Sequence, residues 1–240
     1  VNTAEDEFVL KSVDPAARNA GDDISNPFPS FVYDGVEGVA EDFRIQNLFF
    51  YKNRLGLLSR DNVIMSEAGQ PFNFFRTTTL SLLDSAPIDV SVASNRVVNL
   101  KSAIGFQENL VLFSEGGQFV LKNTGILSPK TVSISPITNF NFESEVEPIA
   151  LGSYIYFPFA RGAYTGVREF TVDASSETYK ADEITEHVPA YIPKNVVDIT
   201  ATTAEDMIVL LSGDDTDSLY VYKYFWNNNQ KILSSWSKFK

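Results

Sequence analysis

The chain has 240 residues, 44% hydrophobic and 21% charged, and its 31 acids against 19 bases leave a net charge of −12. A chain of this length and balance can bury a real core as one large or two small domains, which excludes disorder as its main state; zero Cys and a single His exclude disulfides, thiolate catalysis, Cys-ligated metals and multi-His sites. No window approaches the ~18 uninterrupted apolar residues of a membrane helix, and the acid excess argues against tight binding to phosphate backbones.

Residues 1–30 read as a connecting segment. Thr3–Val13 and Pro15–Ala20 carry apolar residues at helical spacing, with Pro15 keeping the two apart. Asp22-Asp23 then leads into Ile24–Phe31, where turn-forming residues and two prolines predict a rigid non-repetitive connection pinned by Phe28 and Phe31. The paired carboxylates could hold a cation or act as an acid/base pair, but neither a His nor a third carboxylate stands close in sequence.

From residue 31 to residue 240 the pattern is strands. Asn47–Tyr51, Leu110–Phe113, Gln118–Lys122, Tyr154–Phe157, Arg168–Val172, Met207–Leu211 and Leu219–Phe225 are short, rich in Phe, Tyr, Val and Ile, and separated by turn residues. An apolar stretch recurs at Leu55–Ser59, Leu110–Ser114, Tyr154–Pro158 and Ile208–Ser212, at intervals of 55, 44 and 54 residues. A strand precedes each copy across a polar turn: Leu48–Tyr51, Val97–Phe106, Pro148–Leu151 and Val196–Thr202. A third strand follows each: Asn62–Ser66, Gln118–Lys122, Arg168–Val172 and Leu219–Phe225. A further extended stretch lies 22–24 residues upstream, around Phe31, Ile88, Val132 and Ile184. Four elements recurring four times predict an all-β, propeller-like fold of four-stranded antiparallel blades, with inner strands near Leu48–Tyr51, Ile104, Ile149 and Ile199 and a ring that need not be complete. Unrelated hairpins in a sandwich would give similar turn spacing.

None of the local motifs assembles chemistry. Gly213–Ser218 alternates carboxylates as part of a calcium loop does, but lacks the Gly and Glu that complete one, so it reads as a hairpin turn. His187 follows Glu186 directly, and neighbours on a strand point to opposite faces, so the two are not expected to act together. Gly116-Gly117 and Gly162 have no following helix and cradle no phosphate. Phe72, Phe74 and Phe75, then Phe140 and Phe142, then Tyr220, Tyr222, Tyr224, Phe225 and Trp226 with Trp236, could stack sugars or bases; covering apolar blade faces is the expected use. Lys52, Arg54, Arg60 and Arg76 cluster loosely but are outnumbered, so no nucleic-acid platform is expected. No catalytic, cofactor-binding or metal-binding residue is assigned.

Several strings are more specific than any periodicity. Gly21–Phe31, Lys52–Ser59, Glu67–Gly69, Phe72–Thr78, Pro87–Val90, Phe106–Ser114, Gly166–Glu169, Ile184–Pro189, Tyr191–Pro193, Val221–Tyr224 and Trp236-Ser237 resemble, in that order, the tail nozzle proteins of short-tailed, T7-like bacteriophages, also called tail tubular protein B. The resemblance runs from Gly21 onward. It implies a structural virion protein of the distal tail, made in the host cytoplasm, with no enzymatic activity and no cofactor. It also implies a longer chain with a propeller-like domain, a hexameric ring below a tail adaptor, fibres near that junction, and passage of DNA without specific binding. Val1 and Lys240 fit the central part of such a chain. A carbohydrate-binding or carbohydrate-cleaving propeller at the host surface is the competing expectation.

Overall fold

The computed structural model describes residues 2–4, 7–8, 22, 24–32, 44–173, 178–227 and 230–240, and every regular element among them is a strand. β1 (Asn2–Ala4) and β2 (Glu7–Phe8) pair antiparallel. The helical spacing of Thr3–Val13 is therefore not realised where that stretch is described, and Pro15–Ala20 lies outside the described residues.

Sixteen further strands form four antiparallel sheets. The first contains β3 (Ile45–Tyr51), β4 (Arg54–Ser59), β5 (Asn62–Met65) and β6 (Ile88–Ser91); the second, β7 (Leu100–Phe106), β8 (Asn109–Ser114), β9 (Gly117–Asn123) and β10 (Val132–Thr138). The third contains β11 (Ile149–Leu151), β12 (Tyr154–Arg161), β13 (Tyr164–Asp173) and β14 (Thr178–Glu183); the fourth, β15 (Val196–Thr202), β16 (Met207–Ser212), β17 (Asp215–Asn227) and β18 (Gln230–Phe239). Strand order within each sheet follows chain order, so each sheet is a blade made of successive hairpins.

The repeat is real but its phase differs from the one read off the sequence. Ile88 and Val132 belong to β6 and β10, which close the preceding blades by pairing with β5 and β9. Ile184 falls just past β14, and Phe31 lies in a turn. β18 supplies the fourth strand of the last blade. The reason is local: a strand pairs most readily with the one it can reach through a hairpin, so the last strand of each unit folds back before the chain crosses to the next. Similarly, β7 begins at Leu100, because Val97 is exposed in the crossing segment.

The connection between the first two strands of each blade turns through left-handed backbone, at Lys52 and Asn53, Gln107, Gly152 and Asp206. Such residues match the twist of tight hairpins and explain the polar residues that precede each apolar stretch. The first strands β3, β7, β11 and β15, which carry the predicted inner positions, lie beside one another in succession. A cluster containing Phe49, Leu58 and Met65 with Leu100, Leu112 and Leu121 joins blades one and two. Phe106, Val111 and Phe113 with Ile155, Phe157 and Phe170 join blades two and three. Leu151, Tyr156 and Val167 with Ile199, Leu210, Tyr220, Tyr222 and Trp236 join blades three and four. The fourth blade is not stacked on the first as consecutive blades are on each other, so the ring is open.

β8 shows why the stretch reads as continuously apolar. Leu110 and Leu112 enter the first cluster while Val111 and Phe113 enter the second, so both faces of the strand are buried. Leu112 has no exposed surface and sits opposite Ala103 and Phe119. Leu112→Ala should cost about 2–5 kcal/mol through the cavity it leaves. Urea unfolding checks this, and a loss below about 1 kcal/mol would show that the blades repack freely there.

Candidate functional site

The acidic turn before the first blade is structural. Asp22 Oδ1 accepts the backbone N–H groups of Ile24 (3.0 Å) and Ser25 (2.7 Å), and these bonds, that of Ser25 foremost, hold its carboxyl below the ordinary range. Asp23 lies outside the described residues. The following segment is anchored on the loop between β5 and β6. Asn26 Oδ1 accepts Arg76 N–H at 3.1 Å, Arg76 NH1 donates to Ser25 O at 2.7 Å, and Phe28 and Phe31 meet Phe75 and Phe74 edge to face. Phe28 and Phe31 thus pin this segment to that loop, as the sequence predicts.

Gly213 and Asp214 make the turn of the β16–β17 hairpin, and Asp215 already belongs to β17. Its carboxylate accepts Lys238 Nζ at 2.6 Å, Tyr220 OH at 2.6 Å and Ser218 Oγ at 3.0 Å, while Asp214 accepts Asn195 Nδ2. Asp214 and Asp215 are thus engaged by separate protein donors, and no group of three metal-type ligands converges among the described residues. Lys238 first, then Tyr220, draws the Asp215 carboxyl from its ordinary 3.8 to about 2, and Asp215 raises Lys238 in return. A depressed carboxyl favours the folded clasp above the ordinary value of 3.8 and loses that contribution as pH falls through about 2. The Asp215 carboxyl should accordingly titrate near 2 by NMR, and Lys238→Ala should move it back toward 3.8. An unmoved midpoint would refute the clasp.

His187 sits exposed in the turns after β14 rather than on a strand. It borders an open cavity of about 440 Å³ together with Asp182, Glu183, Glu186, Trp226 and Lys231. Glu183 pairs with Arg161 and accepts Thr185 Oγ1. Gly116 and Gly162 lie in hairpin turns, and Gly117 opens β9.

The aromatic runs are used largely as core. Tyr220, Tyr222, Tyr224, Phe142 and Trp236 are buried, with Trp236 Nε1 donating to Ile184 O at 3.0 Å across to blade three. Phe72 and Phe225 are the exposed exceptions. The loose basic cluster does not form a track either. Arg54 is only 1% exposed and donates to the carbonyls of Ser66 and Ala86 through NH1, and of Asp84 and Leu127 through NH2. The guanidinium ties the β5–β6 loop of blade one to blade two. Lys52 bonds Asn123 Oδ1 at 3.0 Å.

One polar centre escaped the sequence. Glu169 on β13, 5% exposed, accepts Lys231 Nζ of β18 at 2.7 and 2.6 Å and Tyr156 OH at 2.7 Å. Tyr154, Tyr222, Tyr224 and Trp226 surround the ammonium, Trp226 closest at 5.0 Å from ring centre to Nζ. Burial first, then the Glu169 charge, pushes the Tyr156 hydroxyl up; burial, then Asp206 and Glu169, raises Tyr224 to about 12. The available signal was only a Glu at alternate spacing to Val167 in β13. The centre clamps blade three to blade four and presents no free reactive group, since the acid, the base and the hydroxyl engage one another.

Comparison with known proteins supplies what the local chemistry does not. Against solved structures, the chain is similar to a putative 6-phosphogluconolactonase of Bacteroides fragilis, with a TM-score of 0.52 at 12% identity over 79% of this chain and 53% of that one. So low an identity carries the fold alone. In sequence it is 35% identical over 238 residues to the tail tubular protein gp12 of Escherichia phage T7, covering 99% of this chain but 29% of that protein, so it spans under a third of its relative's length. The model of the bacteriophage nozzle protein family matches residues 1–240. By that match over the whole length and by the 35% identity to its relative, the chain belongs to the bacteriophage nozzle protein family.

Proposed function

We propose that these 240 residues form a propeller wall of a tail-nozzle subunit, copies of which surround the passage through which the phage genome leaves the virion. The observation that carries the reading is the family match across residues 1–240, with a relative that is itself a tail tubular protein. The chain acts as a structural part and not as an enzyme; it belongs to the tail of the virion after synthesis in the host. Residues 31–240 form the propeller domain of a longer chain and residues 1–30 its connection. Its partners are further copies in a hexameric ring, the tail adaptor above it, and fibres near that junction. No helix among the described residues is long and apolar enough to cross a membrane.

The charge supports a conduit. At −12, these 240 residues leave few bases to spare for a continuous phosphate-binding track, so DNA passing them meets weak repulsion instead of counterion-release affinity. Purified tails labelled with an antibody to this chain should carry the label at the distal ring under negative stain; label elsewhere, or none, overturns the assignment. In the assembled ring the bore should be acidic or neutral. A ladder of Lys and Arg along it would refute the repulsive conduit while leaving the nozzle assignment intact.

A further inference from the structure

The acid excess is not spread evenly along the chain. Residues 44–140, which form blades one and two, carry nine bases and six acids, whereas residues 141–240, which form blades three and four, carry eight bases and fifteen acids. On the basic half, three of the bases share one cavity. The segment between β6 and β7 is pinned at both ends to the β4–β5 turn, the Val92 N–H donating to Asp61 O at 2.9 Å and the Leu100 N–H to Arg60 O at 2.7 Å. The residues between stand out in solvent, with Val97 95% exposed. Beside this segment Arg60, Arg96 and Lys101 line a cavity of about 430 Å³, in which Asp61 is the one acidic lining residue. The acidic half offers the complement. Glu145, Asp182, Glu186, Asp198 and Asp217 are exposed and in no ion pair among the described residues. Asp182 and Glu186 border, with Glu183, the open cavity of about 440 Å³ beside His187.

We infer that neighbouring copies of this chain meet head to tail, the Arg60–Arg96–Lys101 cavity of one subunit receiving the acidic surface around Asp182 and Glu186 of the next. Three observations select this occupant. Opposite charge on the two halves draws unlike halves together and keeps like halves apart, so a second copy docks through two different patches, the arrangement from which rings are built. The cavity also carries Val97 in its wall, and an exposed apolar side chain among the bases suits a protein surface better than a phosphate backbone. A DNA track would need its bases in a row, but Arg54 is engaged inside blade one, Arg76 by Ser25 O and Lys130 by Asp84. Covering the basic half at each contact leaves the uncovered surface more acidic, in keeping with a repulsive passage. This inference deepens the ring of copies proposed above and rests on it.

The test is ring assembly of the full-length protein, followed by sedimentation velocity. Arg96→Glu with Lys101→Glu should raise the concentration at half assembly about tenfold, and so should Asp182→Lys with Glu186→Lys, because each pair sets like charges against each other. All four changes in one chain restore unlike charges across every contact and should return assembly close to the unaltered level, a rescue that a damaged fold would not show. Lys101 lies 3.9 Å from Glu115, so if its reversal disturbs blade two by circular dichroism, Arg96→Glu against Glu186→Lys, both at exposed positions, reads the same rescue. Reversals that leave assembly unchanged, or a combined variant no better than its parts, overturn the proposal. Binding of a DNA duplex that Arg96→Glu abolishes while rings still form would give the cavity to DNA and overturn it too. An unaltered protein that forms no ring sinks the ring reading and this inference with it, whereas rings indifferent to the reversals sink this inference alone.

Discussion

Arg54→Met is expected to lower the free energy of unfolding by about 3–5 kcal/mol, because four carbonyl oxygens lose a charged donor at once. The methionine fills much of the same volume, so the loss reports the hydrogen bonds rather than a cavity. Ser66, Ala86, Asp84 and Leu127 contribute those carbonyls, and Arg54 is 1% exposed among them. Arg54→Lys should recover little, since one ammonium lacks the planar fork that reaches acceptors through both NH1 and NH2. Urea unfolding with hydrogen exchange over 66–86 measures both effects. Protection in that loop should fall before global unfolding, and a cost under about 1 kcal/mol would mean water replaces the guanidinium without penalty.

Lys231→Met should cost about 3–5 kcal/mol, because it strands the Glu169 carboxylate among rings with only Tyr156 still donating to it. The double change Glu169→Gln with Lys231→Met should regain most of that loss, since removing both charges removes the uncompensated one. The side chains are 6% and 17% exposed, so screening by solvent is small. A thermodynamic cycle over the single and double variants measures the coupling. Purely additive costs would show that the pair does not clamp the blades.

Much of this fold was written in the chain. Short apolar and aromatic runs bounded by turn residues marked most of the strands, and the spacing of Leu55, Leu110, Tyr154 and Ile208 marked four units. Both signals are short in range, since a strand's two faces and its hairpin lie within a dozen residues. The phase of the repeat was less legible. A fourth strand near Ile88 or Val132 is equally extended whether it opens one blade or closes another, and only its pairing with β5 or β9 decides.

The sites divide in the same way. The sequence by itself determined that no multi-His or Cys site could form, that the Asp22 and Gly213–Ser218 segments carry turns, and that specific strings align with the nozzle family. What only the tertiary structure decided were the roles of Arg54, Glu169 and Lys231. Arg54 and Leu127 are 73 residues apart, and Glu169 and Lys231 are 62 apart. No local pattern distinguishes an arginine that will be buried beneath a loop from one that stays in water. The difference arises when separate blades stack and shut solvent out between them, because only then does an unpaired charge become costly enough to demand its partner.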